Sequence, residues 1–207
     1  MKIARAMTVP INKTFAASKT WCATLGAMTL VTLFVFVTLI SGCTSRRGVV
    51  GDKAVAAINV YFYNERMATD PIDCAATFAV ERYVPATSDL VAEALHSLFR
   101  GPTPKELEEG YWSFFSDETA GLLKRVRVEN GIAYLDLKDM RQILSGATSS
   151  CGSAAFYSQV ERTLLQFPNV KKVIYAIEGD PRVFYDWMNE ACGPDNQYCD
   201  PSPFSKQ

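Results

Sequence analysis

Between Trp21 and Ile40 the chain carries no charged residue and is mostly apolar, with Met28-Thr-Leu-Val-Thr-Leu-Phe-Val-Phe-Val-Thr-Leu-Ile40 at its centre. Lys2, Arg5, Lys13 and Lys19 precede this run and no acid does. A positive segment followed by an apolar one is the order of a secretory signal. The feature constrains all that follows: the remainder of the chain is expected to fold outside the cytoplasm. About 20 apolar residues could also span a bilayer as an uncleaved helix, which is the alternative.

The run closes in Leu39-Ile40-Ser41-Gly42-Cys43. This resembles a bacterial lipobox, in which small residues precede an obligatory cysteine. The resemblance implies that the Cys43 thiol receives a diacylglycerol and that cleavage occurs before it. Residues 1–42 are then a lipoprotein signal peptide and 43–54 a lipidated tether. Stable anchoring takes more than one acyl chain, at ~0.8 kcal/mol per buried methylene. The expected location is the cell membrane, lipid-anchored on the extracytoplasmic side. No cofactor is expected beyond the acyl lipid on Cys43.

The chain has 207 residues, 21 basic and 22 acidic side chains, and 48% hydrophobic residues. That suits one folded domain with appendages and excludes a mainly disordered or low-complexity chain. Setting aside the four basic residues of 1–42 leaves every acid in place and a net charge of −5. An acidic body is a poor nucleic-acid binder, because phosphates are neutralised by surplus Lys and Arg.

Beyond Cys22 and Cys43, four cysteines remain: Cys74, Cys151, Cys192 and Cys199. An even number in an exported domain points to disulfides. Four cysteines allow three connectivities. Cys192 and Cys199 flank a short turn-rich loop and make the favoured local pair, which leaves Cys74 with Cys151. A four-cysteine zinc site is the rival, although no Cys-x-x-Cys is present.

Ala57–Tyr63 and Thr77–Val84 are rich in β-branched and aromatic residues and are expected strands, the second stopped by Pro85. A helix capped by Thr87 or Ser88 starts at Asp89, with Val91, Ala94, Leu95, Leu98 and Phe99 at helical spacing, and ends at Gly101-Pro102. Pro104–Glu109 adds an acidic turn and Tyr111–Ser116 reads as irregular. Asn130-Gly131 joins Arg125–Glu129 to Ile132–Leu137, the strongest short hairpin signal. Ser153 is the expected cap of a second helix bearing Phe156, Val160, Leu164 and Phe167, closed by Pro168. Val170–Ile177 is the last strand, Gly179-Asp180-Pro181 a turn and Val183–Ala191 a short helix. The tail from Pro194 is expected to be loosely held apart from the Cys192–Cys199 loop. The order β-β-α-β-β-α-β gives an α+β two-layer sandwich: a mixed or antiparallel sheet with two helices on one face and a short C-terminal extension.

These landmarks resemble the GerMN domain, the sporulation and spore-germination domain of bacterial envelope lipoproteins. The match rests on Val60-Tyr61-Phe62, on Val80-Glu-Arg-Tyr-Val84-Pro85, and on Leu98-Phe99-Arg100-Gly101-Pro102-Thr103 with Gly110 following. It continues through Gly152-Ser153, Thr163-Leu-Leu-Gln166-Phe-Pro168-Asn-Val170 and Glu178-Gly179. It covers about residues 57–180, assigning 55–180 to the domain and 181–207 to an extension with a disulfide loop. The four cysteines and the tail after Gly179 depart from the family pattern. The resemblance implies a non-enzymatic module similar to ring-building domains, working in envelope complexes that include sporulation channels, with cell-wall contact as a further role.

The residues themselves offer little catalytic machinery. His96 is the only histidine and must serve any Ser-His-Asp or Cys-His device, yet it reads as a boundary residue. Glu106, Glu108, Glu109, Asp117 and Glu118 could pair as acid and base in a wall-polymer hydrolase, or simply form a solvated face. Lys171 with Lys172, and Lys124 with Arg125 and Arg127, guard sheet edges or contact an anionic wall polymer. Tyr111, Trp112, Phe114 and Phe115 either close the core or form a partner-contact patch, and Phe184, Tyr185 and Trp187 raise the same question. The expected partners are the membrane through the lipid, and envelope proteins or a second copy of the chain. Peptidoglycan is the alternative; nucleic acid and metal are not expected.

Overall fold

The computed structural model describes residues 54–70, 72–86, 89–193 and 197–205. The signal segment, Cys43, most of the tether and the caps expected at Thr87 and Ser88 lie outside them.

Strand β1 (Val55–Asn64) buries Ile58, Val60, Phe62 and Asn64, every second residue of a half-buried strand. It pairs antiparallel along its length with β2 (Phe78–Pro85), Val60 opposite Val80. Helix α1 (Leu90–Phe99) is capped by Asp89 itself, whose carboxylate accepts from Ala92 N at 3.0 Å. Helix α2 (Pro104–Glu108) is a single turn with Thr103 as N-cap in a capping box with Glu106. Strand β3 (Tyr111–Trp112) then pairs with the end of β1, Tyr63 opposite Trp112. The aromatic run expected to be irregular therefore begins as a strand.

A second sheet follows. Strands β4 (Leu123–Glu129) and β5 (Ile132–Leu137) form the expected hairpin. Asn130 and Gly131 sit at φ 52° and 82°, the left-handed pair that a type I′ turn requires. Helix α3 (Ser150–Leu165) crosses over to β6 (Lys172–Ile177), which lies parallel to β5. A parallel neighbour needs such a crossover. The order is β2-β1-β3 in one sheet and β4-β5-β6 in the other.

The α+β class holds, but the strands fall into two three-stranded sheets rather than one. The reason lies on the edge of β1 that does not face β2. Backbone groups of Asn59 and Tyr61 are bonded there by side chains from the end of α3, its C-cap Gln166 and Thr163, in place of a neighbouring strand. The two sheets still share one apolar core, since Phe62 of the first and Leu135 of the second are both fully buried in the same cluster with Leu95, Leu98, Phe156 and Leu164.

Helix α3 starts earlier than expected. Ser149, not Ser153, is its cap, accepting from Gly152 N at 3.0 Å. Its first turn has no apolar face because other contacts fix it. Cys151 is disulfide-bonded to Cys74, and a side chain on Gly152 would meet Gly146 O at 2.0 Å. Helix α4 (Pro181–Trp187) is capped by Asp180 with Pro181 in its first turn, and the chain leaves helical geometry by Asn189 at φ 60°.

The tail is not loosely held. Cys192 is bonded to Cys199, and Phe204 within α5 (Ser202–Ser205) is buried against the Tyr134 ring, edge to face at 5.7 Å. Arg125 and Arg127 donate to the carbonyls of Phe204 and Pro203. One buried aromatic and two strand arginines are enough to seat a segment whose composition reads as a loop.

Candidate functional site

The run Tyr111–Phe115 supplies both core and surface, its side chains alternating in direction from β3 onward. Phe115 is 2% exposed and packs on the Phe99 and Phe156 rings at 5.0 and 5.9 Å. Ser113 also turns inward, donating to Gln159 Oε1 at 2.5 Å and accepting from Phe115 N at 3.0 Å. Tyr111 is half-buried, with its hydroxyl 3.8 Å from Met67 Sδ. Trp112 and Phe114 take the other side. Trp112 is 48% exposed, and its ring meets that of half-buried Phe114 edge to face at 4.8 Å.

These two rings flank a mostly apolar groove of about 400 Å³, bounded also by Tyr63, Ala155 and the Cys74–Cys151 bridge. Its charged lining residues are Glu65 and Asp73, with no base among them. The walls are held from three sides. β3 is fixed by its pairing with β1. The loop at Cys74–Thr77 is held to α3 by the disulfide, by Ser158 Oγ donating to Ala75 O at 2.6 Å, and by Arg162 donating to Thr77 O at 2.8 Å. Gly146 packs under the Phe114 ring at 3.8 Å from the position a Cβ would take. The structure thus joins two groups that lie apart in the sequence, the aromatic run and one cysteine pair. Alternation along the run was the signal that separates Trp112 and Phe114 from Phe115.

The other candidates are engaged elsewhere. Glu106 is buried, paired with Arg82 and bonded to Thr103 N at 2.8 Å. Burial alone would raise its carboxyl, but the Arg82 and Thr103 hydrogen bonds outweigh it and hold its pKa below the ordinary glutamate value. It is therefore an ionised structural anion. Glu108, Glu109, Asp117 and Glu118 are exposed, and His96 is half-buried in the last turn of α1. Among the described residues no group of three or more His, Cys, Asp or Glu could hold a metal ion. Lys124 bonds Glu178 at 2.7 Å, Lys172 lies over the Tyr198 ring at 4.9 Å, and Arg125 and Arg127 seat the tail. Phe184 and Tyr185 are buried and Trp187 packs against the core, so those aromatics close the interior.

The family described as Germane: Sporulation and spore germination matches residues 59–183. No curated protein matches the chain. Among solved structures, the tandem GerMN domains of the sporulation protein GerM from Bacillus subtilis are 20% identical, over 64% of this chain and 42% of that one, with a TM-score of 0.43. The chain thus spans less than half of that tandem structure. The first GerMN domain of the same protein is 18% identical, over 60% of this chain and 84% of that one, with a TM-score of 0.39. A Clostridium perfringens protein provisionally described as a lipoprotein is 14% identical, over 60% and 76%, with a TM-score of 0.35.

Proposed function

Because this chain belongs to the Germane family of sporulation and spore germination domains, we propose that it is a lipid-anchored, extracytoplasmic binding module that acts as an adaptor or scaffold in an envelope complex. In this reading Cys43 carries the acyl lipid and the groove beside Trp112 and Phe114 receives the partner. The observation that carries it is the exposed Trp112 ring over an apolar groove whose walls are cross-linked by Cys74–Cys151. Tryptophan anchors in rigid pockets supply much of the energy at protein interfaces. Glu65 and Asp73 at the groove favour an apolar side chain flanked by Lys or Arg. In this reading the module works by binding, and the buried Glu106 serves the fold, held ionised by Arg82 and engaged in the cap of α2.

The test is recovery of covalent adducts from cells carrying the full chain, with Trp112→Ala and Phe115→Ala side by side. The reading expects Trp112→Ala to keep the fold and lose a hetero-adduct, and Phe115→Ala to lose the fold. A dominant self-adduct would make the protein a ring or array builder instead, and muropeptide adducts would make it a wall-contact protein.

A further inference from the structure

On a different face, α3, β6, α4 and the segment around the second disulfide surround a cavity of about 350 Å³. Tyr157 and Glu161 enter it from α3, four residues apart on one side of the helix. Tyr175 comes from β6, Tyr185 from α4, Glu190 from the stretch just before the second disulfide, and Tyr198 from the segment that Cys192–Cys199 closes. No residue of the Trp112 groove takes part.

Three observations describe what is missing there. First, Tyr175 is 1% exposed and its hydroxyl makes no hydrogen bond of ordinary geometry, its one neighbouring acceptor being the Glu161 carboxylate across the cavity. A buried hydroxyl in that state is unfavourable unless something completes it. Second, neither Glu161 nor Glu190 forms an ion pair among the described residues; Glu190 accepts only the Tyr157 hydroxyl, at 2.7 Å. Burial, opposed by the Tyr175 hydroxyl and reinforced by Glu190, pushes the Glu161 carboxyl above the ordinary range. Third, the lining already accepts a cation: the exposed Lys172 ammonium lies over the Tyr198 ring at 4.9 Å, without pairing with either carboxylate.

We propose that this tyrosine-walled cavity binds a primary ammonium group carried on a short aliphatic stem. The ammonium has three N–H donors, enough for the two carboxylates and the Tyr175 hydroxyl oxygen. The tyrosine rings cover the stem and favour the positive charge. A quaternary ammonium would satisfy the rings but leave the carboxylates and the Tyr175 hydroxyl unpartnered, and an anion would meet two carboxylates against the single ammonium of Lys172.

The experiment is a titration of the full chain in detergent, with ¹³C-labelled tyrosine followed by NMR, using n-butylammonium chloride. Tetramethylammonium chloride and sodium chloride at equal ionic strength are the comparisons. Saturable shifts with n-butylammonium are expected, weakened about tenfold by loss of one charge-assisted bond in Glu161→Gln or Glu190→Gln. Glu190 is exposed, so its variant keeps the test open if Glu161→Gln fails to fold. Shifts no different from those with sodium chloride, wild-type affinity in the folded variants, or tighter binding of tetramethylammonium would each overturn the proposal.

Discussion

The side-chain amide of Gln166 bonds both backbone groups of Asn59: its Nε2 donates to Asn59 O at 2.7 Å, and its Oε1 accepts from Asn59 N at 2.9 Å. Three residues earlier, Thr163 Oγ1 accepts from Tyr61 N at 3.2 Å. A helix thereby caps the strand edge that another strand would otherwise extend. The Thr163–Gln166 pair belongs to the sequence that marks the resemblance to the GerMN domain, and this contact gives the motif a physical reason. Replacing Gln166 by Ala strands the part-buried N–H and C=O of Asn59. The expected loss is about 2–4 kcal/mol, read from urea unfolding, with far less change for Leu165→Ala at an exposed position of the same turn.

Gly101 carries a second such reason. It sits at φ 74°, and a Cβ there would lie 2.0 Å from Phe115 O. Both the left-handed backbone and the backbone contact exclude a side chain. Gly101→Ala is expected to destabilise by more than about 3 kcal/mol and to disturb the Phe99–Phe115 contact. Gly193→Ala, with nothing within 4 Å, is the neutral comparison. Thermal unfolding of the two variants checks the contrast.

The Arg82–Glu106 pair gives a pH dependence with a defined sign. The folded pKa of Glu106 is depressed, so its contribution is present above the ordinary glutamate pKa and is lost as pH falls through the folded value. Glu106→Gln is expected to lose about 2–4 kcal/mol at neutral pH, since it leaves Arg82 uncompensated and weakens the cap. The deficit should shrink in acid, where the wild-type carboxyl is also neutral. Unfolding free energies across the acid range test both statements.

The two disulfides differ in the loops they close. Cys74–Cys151 joins residues 77 apart and Cys192–Cys199 residues 7 apart. Chain-entropy arguments give about 4.5 and about 2.5 kcal/mol respectively. Removing the first by paired Cys→Ser substitution should therefore cost more stability. It should also free the loop at Cys74–Thr77 that walls the Trp112 groove, which faster amide exchange at Ala75 and Thr77 would report.

Local signals in the chain were readable where a single residue type decides the geometry. The Asn130-Gly131 hairpin and the stop at Gly101-Pro102 are of this kind. The separation into two sheets was not readable, because it depends on Gln166 meeting Asn59, 107 positions away, and nothing local marks a side chain as a substitute strand. The cap of α3 was misplaced for a similar reason: its first turn is held by Cys151 and Gly152 rather than by apolar periodicity. The seated tail was missed because one phenylalanine, Phe204, and two arginines from a distant hairpin hold it. In the site, the aromatic run was recognised but not its division, since which alternate side faces the core follows from the pairing of Trp112 with Tyr63.

The central proposal is that a partner binds at the Trp112 groove. A photo-crosslinking residue substituted at 112 in the full chain, in its own cells, tests this directly. Position 165 serves as control: it is exposed and lies about 20 Å along α3 from Gly152 at the groove, at 1.5 Å per residue. The account predicts a hetero-adduct from position 112 alone, mapped on the partner to an apolar residue flanked by Lys or Arg. Adducts equal at both positions, or none above background at 112, would contradict it.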